Sequence, residues 1–317
     1  MIALRIARLA CLACFLLAAA LHVPAHASHL ALPPETQAIL DKIYSFDLDG
    51  AVEAAKRMQN QSPNQPLGYL LETEALWWHT WCTSADFKYG MTDARRRPKL
   101  EADQHYIELS TKVLSLAEAQ IKQSESAEMH FYAGMAEASL ARLYALRGEN
   151  RNAARAGVRG REHLLRAKAL DPDLADADMG LGLYNYYVDT LSSMARILRF
   201  FMGIPGGSKQ DGVRLLERAM SQGVVTSQVA RFYLALNLHR YDQQYEQALH
   251  ILGPLVEKYP SNPLFQMARG DLYAKLGRKQ QALASYRTAS AVPVQDSECH
   301  SHLQNLVRAS IAALGLQ

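Results

Sequence analysis

Residues 245–296 read YEQALHILGPLVEKYPSNPLFQMARGDLYAKLGRKQQALASYRTASAVPVQD, and this stretch decides the fold. Ala248, Leu252, Leu255 and Pro260 follow the spacing 0, 4, 7, 12. Ala282, Tyr286, Ala289 and Val294 repeat it 34 residues later, with Pro293 one place early. Steps of four and three residues keep one side of a helix inward. The small residue that opens each set lets two helices approach closely. The Pro stops the second helix and turns the chain. Gly270 and Tyr273 stand 12 and 9 residues before Ala282, and Gly277 sits at the turn between. The unit is a helix, a tight turn and a second helix, and it recurs.

The same pattern extends outward. Ala51, Ala55, Met58 and Pro63 carry it near the start, and Leu164, Ala167 and Pro172 keep its closing steps in the middle. Leu181-Gly182 opens a further unit, completed by Gly212, Leu216 and Ala219. Gly182 and Gly212 are 30 residues apart instead of 12, so about 18 residues are inserted near 188–207. Helical periodicity with breakers between the runs predicts helices over 34–45, 48–60, 66–83, 98–122, 125–147, 150–170, 173–188, 208–221, 226–241, 243–259, 262–276, 279–290 and 296–314. Strand signals are almost absent.

A 34-residue helix–turn–helix period with these small, aromatic and Pro positions resembles the tetratricopeptide repeat, most closely over 229–296. Phe232 and Gln266 occupy the position where that repeat usually has Trp. The resemblance implies an all-α fold, a right-handed solenoid of tetratricopeptide-like helical hairpins, with 296–314 as a capping helix. Gly180, Gly182 and Tyr184, an apolar insertion, Gly206-Gly207 and then Gly212 are similar to a stretch in the Iml2-like family of such repeat proteins and to exported bacterial ones.

Residues 1–27 read as a signal peptide: Arg5 and Arg8, then the apolar run Leu9–Leu21, then Ala25-His26-Ala27 as the cleavage pattern. The expected location is the periplasm or the exterior, with residues 28–317 as one domain. The formal charge of the chain is +3, and Arg5 and Arg8 contribute two of those charges, so the remainder has no drive toward nucleic acid. Past the leader only Cys82 and Cys299 remain, 217 positions apart. An oxidising compartment permits a bridge, but an elongated solenoid would hold its ends apart, so two buried thiols are expected.

Three constellations are candidate binding features. Trp77, Trp78 and Trp81 cluster on one helix, ahead of a loop over 84–97 that holds Phe87 and Tyr89. They suit either stacking on a ligand or core packing. Arg151, Arg155 and Arg159 recur every fourth residue, with Arg147 before them and Arg161 and Arg166 after. They suit an acidic peptide or a lipid headgroup, or form a solvated face with partners such as Glu162 for Arg166. Tyr184, Tyr186, Tyr187 and Asp189 precede the insertion, where Leu191, Met194, Ile197, Leu198, Phe201 and Met202 share one apolar face. That face suits a plug over the groove or, less favoured, contact with a membrane surface.

Asp171, Asp173, Asp176 and Asp178 lack the Gly and closing Glu of a calcium loop. Cys299, His300 and His302 lack a fourth zinc ligand at suitable spacing. No metal, cofactor or catalytic motif is expected, and the chain reads as a non-enzyme. The expected function is a cell-envelope scaffold that holds a peptide or partner helix in its concave face. A small-ligand or lipid-binding protein is the alternative.

Overall fold

The computed structural model describes residues 30–84, 99–191, 199 and 203–315. Among them are thirteen α-helices and no strand. They are α1 Thr36–Tyr44, α2 Leu48–Gln61, α3 Pro66–Ser84, α4 Ala102–Gln123, α5 Ala127–Leu146, α6 Asn150–Leu170 and α7 Asp176–Asp189. There follow α8 Lys209–Gln222, α9 Ser227–Asn237, α10 Tyr245–Lys258, α11 Pro263–Lys275, α12 Lys279–Ala291 and α13 Ser297–Ala313. Each helix packs on the next, so the chain is an all-α solenoid of antiparallel hairpins. The leader 1–27, with its cut after Ala27, and Asp86, Phe87 and Tyr89 lie outside the described residues, as do Met194, Ile197, Leu198, Phe201 and Met202 of the insertion.

Local chemistry sets the helix starts. Asp47, Ser126, Ser208 and Asp296 each accept a backbone N–H from the first turn of α2, α5, α8 and α13. Asn262 accepts from Leu264 and Phe265, and Pro263 fills the first helical position of α11. One departure lies after α9, where the predicted helix 226–241 changes at Leu238–Asp242 into a π-helical turn. Gln243 ends it with φ 54°, a left-handed residue that turns the chain into α10.

The spacing read from sequence is the packing pattern of the outer helices. Their buried positions are Ala51, Ala55 and Met58 on α2, Gly212, Leu216 and Ala219 on α8, and Ala282, Tyr286 and Ala289 on α12. The small residues sit where backbones meet. A Cβ on Gly212 would stand 2.8 Å from the Tyr186 amide nitrogen and 2.9 Å from the Gly182 carbonyl oxygen. Gly270 faces the Tyr286 ring, where a Cβ would come within 2.5 Å. Inner helices α3 and α5 are instead buried on nearly every side.

Polar contacts also tie successive helices together. Glu72 and His105, Tyr106 and Ser139, His130 and His163, and Lys209 and Asp242 are hydrogen-bonded or ion-paired pairs, each 33 residues apart.

The solenoid curls until its ends meet. α13 packs on α3 as well as on α12. Cys82 and Cys299 are joined in a disulfide with Cα atoms 5.3 Å apart. The expected pair of separate thiols is corrected by this curvature: 217 residues of sequence return to the same place. His79 Nε2 and Asp296 Oδ2, 3.2 Å apart, flank the bridge. A second seam joins the first hairpin to the fifth and sixth. The Tyr259 hydroxyl donates to Asp41 at 2.5 Å, Asn262 Nδ2 to the Tyr44 carbonyl at 3.0 Å, and the Ser261 hydroxyl to the Ser45 carbonyl at 2.9 Å.

Candidate functional site

The curvature brings the inner helices together, and the three tryptophans fill the space between them. Trp77, Trp78 and Trp81 are 1%, 1% and 3% exposed. The Trp78 ring centroid lies 5.0 Å from that of Phe232, 5.5 Å from Phe265 and 6.1 Å from Tyr44. Trp81 meets Phe232 edge-on at 5.3 Å. Trp77 donates its indole N–H to the Tyr233 hydroxyl at 2.9 Å, and the Arg142 guanidinium stands 4.5 Å over its ring. Glu74 pairs with that guanidinium at 2.7 Å. These rings are the wall between α3, α9 and α11, and their faces are covered by the protein itself. Of the two roles the sequence leaves open for them, core packing is the one the geometry displays.

Tyr184, Tyr186 and Tyr187 lie at the boundary between the interior and the insertion. The Tyr184 hydroxyl donates to the Pro205 carbonyl at 2.9 Å, with Arg161 at 5.4 Å over the ring. Tyr186 is buried and donates to the Asn237 carbonyl at 3.1 Å and to Asp242 Oδ2 at 2.9 Å. Tyr187 donates to Asn237 Oδ1 at 3.2 Å. Burial pushes the Tyr186 and Tyr187 hydroxyls well above the usual phenol range, so both act as donors and neither as an anion. Asp189 accepts the Lys209 backbone N–H at 2.9 Å, at the start of α8. These hydroxyls bind the π-helical turn to α7.

The arginines behave differently. Helix α6 buries only Ala156, Gly160, Leu164 and Ala167, which form one narrow stripe against its neighbours. The rest of its surface carries Arg151, Arg155, Arg159, Arg161, Arg166 and Lys168, with Glu162 as the sole carboxylate. Carboxylates from other helices neutralise half of these cations. Glu137 takes Arg159 in two bonds of 2.5 and 2.8 Å. Glu125 takes Arg166 in two bonds of 2.8 and 2.6 Å, a role the sequence reading gave to Glu162. Asp178 takes Lys168 at 3.3 Å. Arg147, at the end of α5, is buried in a two-bond pair with Asp103 and so leaves the stripe.

Arg151 and Arg155 remain exposed and, among the described residues, have no carboxylate partner. Both lie in the first two turns of α6, whose first turn contains no acidic residue. The helix dipole makes that end positive, so Arg151 in the first turn is locally unfavourable, and the N-cap Glu149 is already paired with Lys99 at 2.6 Å. An external anion would relieve that repulsion.

Sequence reasoning missed one surface feature. A groove of about 620 Å³ between α8 and the π-helical turn is lined by Lys209, Gln210, Arg214, Asp242, Gln244 and Gln247, among others. Lys209 and Asp242 pair across it. Local spacing gave no signal of it, because the two charges come from a helix start and a turn 33 residues apart. No helix among the described residues is long and apolar enough to cross a membrane.

No protein-family model matches this chain, and no curated protein matches it. Among solved structures it is similar to the crystal structure of the yeast Tom70, at 10% identity, over 86% of this chain and 87% of that one, with a TM-score of 0.30. The repeat architecture therefore rests on the helix pairing and close small-residue contacts described above.

Proposed function

We propose that this protein is a non-catalytic scaffold of the bacterial cell envelope that binds an acidic segment of a partner protein along α6. The carrying observation is the charge imbalance of that helix: Arg151 and Arg155 are exposed and, among the described residues, paired with no carboxylate, while the N-cap Glu149 is taken by Lys99. Arg161 continues the surface one and a half turns on, stacked on Tyr184. Guanidinium forks take carboxylates in paired hydrogen bonds, as Arg159 and Arg166 already do within the chain. The interior, where a partner helix was expected, is occupied by Trp77, Trp78 and Trp81, which favours an outer surface for the partner.

The envelope assignment has two supports. Residues 1–27 have the pattern of a signal peptide, and a buried Cys82–Cys299 bridge suits an oxidising compartment. An export leader followed by a bridged repeat scaffold is a coherent whole.

The test is affinity capture with the wild-type protein and with Arg151→Glu/Arg155→Glu, reading eluates by native mass spectrometry. Arg159 is left intact because it holds Glu137. The expected result is a defined partner on the wild type, at least tenfold depleted on the variant and released by moderate salt. A partner retained equally by both proteins contradicts the α6 site. A retained small molecule with no protein partner contradicts the scaffold reading and favours a ligand-binding protein.

A further inference from the structure

The tightest hairpin, α5 with α6, holds a histidine pair that the arginine surface does not use. His130 on α5 and His163 on α6 place their Nδ1 atoms 3.0 Å apart. Their ring centroids are 5.2 Å apart and the planes differ by 40°. The other nitrogen of His130, Nε2, lies 2.9 Å from Glu125 Oε1. Arg166 fixes that same carboxylate with two bonds. Arg166 first, and His130 next, hold the Glu125 carboxyl down at about 2, so it is an ionised acceptor. His130 therefore carries its proton on Nε2 and presents a bare Nδ1.

Burial first, and then the nearness of His130, lower the pKa of His163 below the usual histidine range. Metal ions bind the neutral imidazole, and the two rings direct their Nδ1 atoms toward one another. Two nitrogens each about 2.0–2.1 Å from one metal ion lie roughly 2.9–3.4 Å apart at a cis or tetrahedral angle. The 3.0 Å separation falls in that range. A carboxylate behind the ring is also the usual outer support of a metal-bound histidine, fixing its tautomer and orientation. Glu118, Glu137 and Glu162 add negative potential around His163.

We propose that His130 and His163 form a two-histidine site for a nitrogen-preferring transition-metal cation, Cu²⁺, Ni²⁺ or Zn²⁺, which clamps α5 to α6. Cu²⁺ binds tightest by the general order of these ions. The metal replaces the proton shared between the two Nδ1 atoms. His163 then carries its ring proton on Nε2, so both ligands stay neutral and no net proton is released. Water completes the coordination, because among the described residues no group of three or more His, Cys, Asp or Glu is arranged to hold a metal.

Calorimetric titration of the whole protein with Cu²⁺ and with Zn²⁺ tests this, beside His163→Gln and His130→Gln. Glutamine roughly keeps the side-chain volume and polarity, and circular dichroism without metal shows whether each variant folds. The expected result is one site per chain that weakens at least tenfold in His163→Gln, with a metal-dependent rise in Tm that the variant lacks. Mg²⁺, which prefers oxygen, should produce neither effect. A wild type without such a site overturns the proposal, and so does a site unchanged in His163→Gln. If His130→Gln does not fold, the comparison of wild type with His163→Gln decides alone.

Discussion

The double variant Cys82→Ala/Cys299→Ala is expected to lose about 4 kcal/mol of unfolding free energy. The bridge closes a loop across a sequence separation of 217 residues. In the chain-entropy model a loop of that size restricts the unfolded chain by about 5 kcal/mol, and measured bridges deliver roughly 2–5. Alanine is the cleaner replacement, because both sulfurs are buried and serine would place hydroxyls among apolar neighbours. The readout is guanidinium denaturation of the wild type, the variant and the dithiol-reduced wild type. The reduced protein should track the variant. α13 should also become the most exchangeable helix in hydrogen exchange, since the bridge and the His79–Asp296 pair are its named ties to α3. A loss below about 1 kcal/mol would mean that the bridge does not constrain the chain.

Asp176→Ala should cost about 3 kcal/mol. The Asp176 carboxylate is 4% exposed and sits at the start of α7. It accepts the Val224 N–H at 3.0 Å, the Thr226 N–H at 2.8 Å and the Thr226 hydroxyl at 2.9 Å. It therefore ties the turn between α8 and α9 to the hairpin before it. Truncation strands the Val224 and Thr226 N–H groups, while the Thr226 hydroxyl keeps the Asp176 carbonyl at 3.2 Å, and an unsatisfied buried donor costs roughly 1–3 kcal/mol. Asp176→Asn keeps the shape but replaces one acceptor oxygen with a donor, so an intermediate loss is expected. Thermal and chemical denaturation of both variants checks the order Ala, Asn, wild type in rising stability. Equal stability of all three would remove Asp176 from the account.

That same aspartate marks where sequence reading stops. Asp171, Asp173, Asp176 and Asp178 read as a run that lacks the marks of a calcium loop. Asp171 does sit at the end of α6. The tasks of Asp176 and Asp178 reach about 50 residues forward to Thr226 and 40 to Arg218, and local spacing carries no trace of such partners. The outer helices were legible because each shows one inward stripe against solvent, as Gly212, Leu216 and Ala219 do. The inner helices were placed by their neighbours' pattern, since a helix buried all round has no stripe to read.

Curvature was not legible at all. It depends on how side chains of successive hairpins interlock, and small angles accumulate over six hairpins. That accumulation turned an expected elongated solenoid into one whose ends touch. It also moved Trp77, Trp78 and Trp81 from two open roles into the interior. The arginine stripe was visible as a run. Which members stay free depended on Glu125, just before α5, and Glu137 on α5, carboxylates from the other arm of the same hairpin. The His130–His163 pair left no trace in local spacing, because it joins two antiparallel helices of one hairpin and its interval depends only on where each ring falls along its helix.

The central claim is that the solenoid curls until α3 meets α13. Peptide mapping of the unreduced, alkylated protein recovered from its own cell tests it most directly. One crosslinked species joining the peptides that contain Cys82 and Cys299 is expected. Recovery of both cysteines as separate alkylated thiols would contradict it.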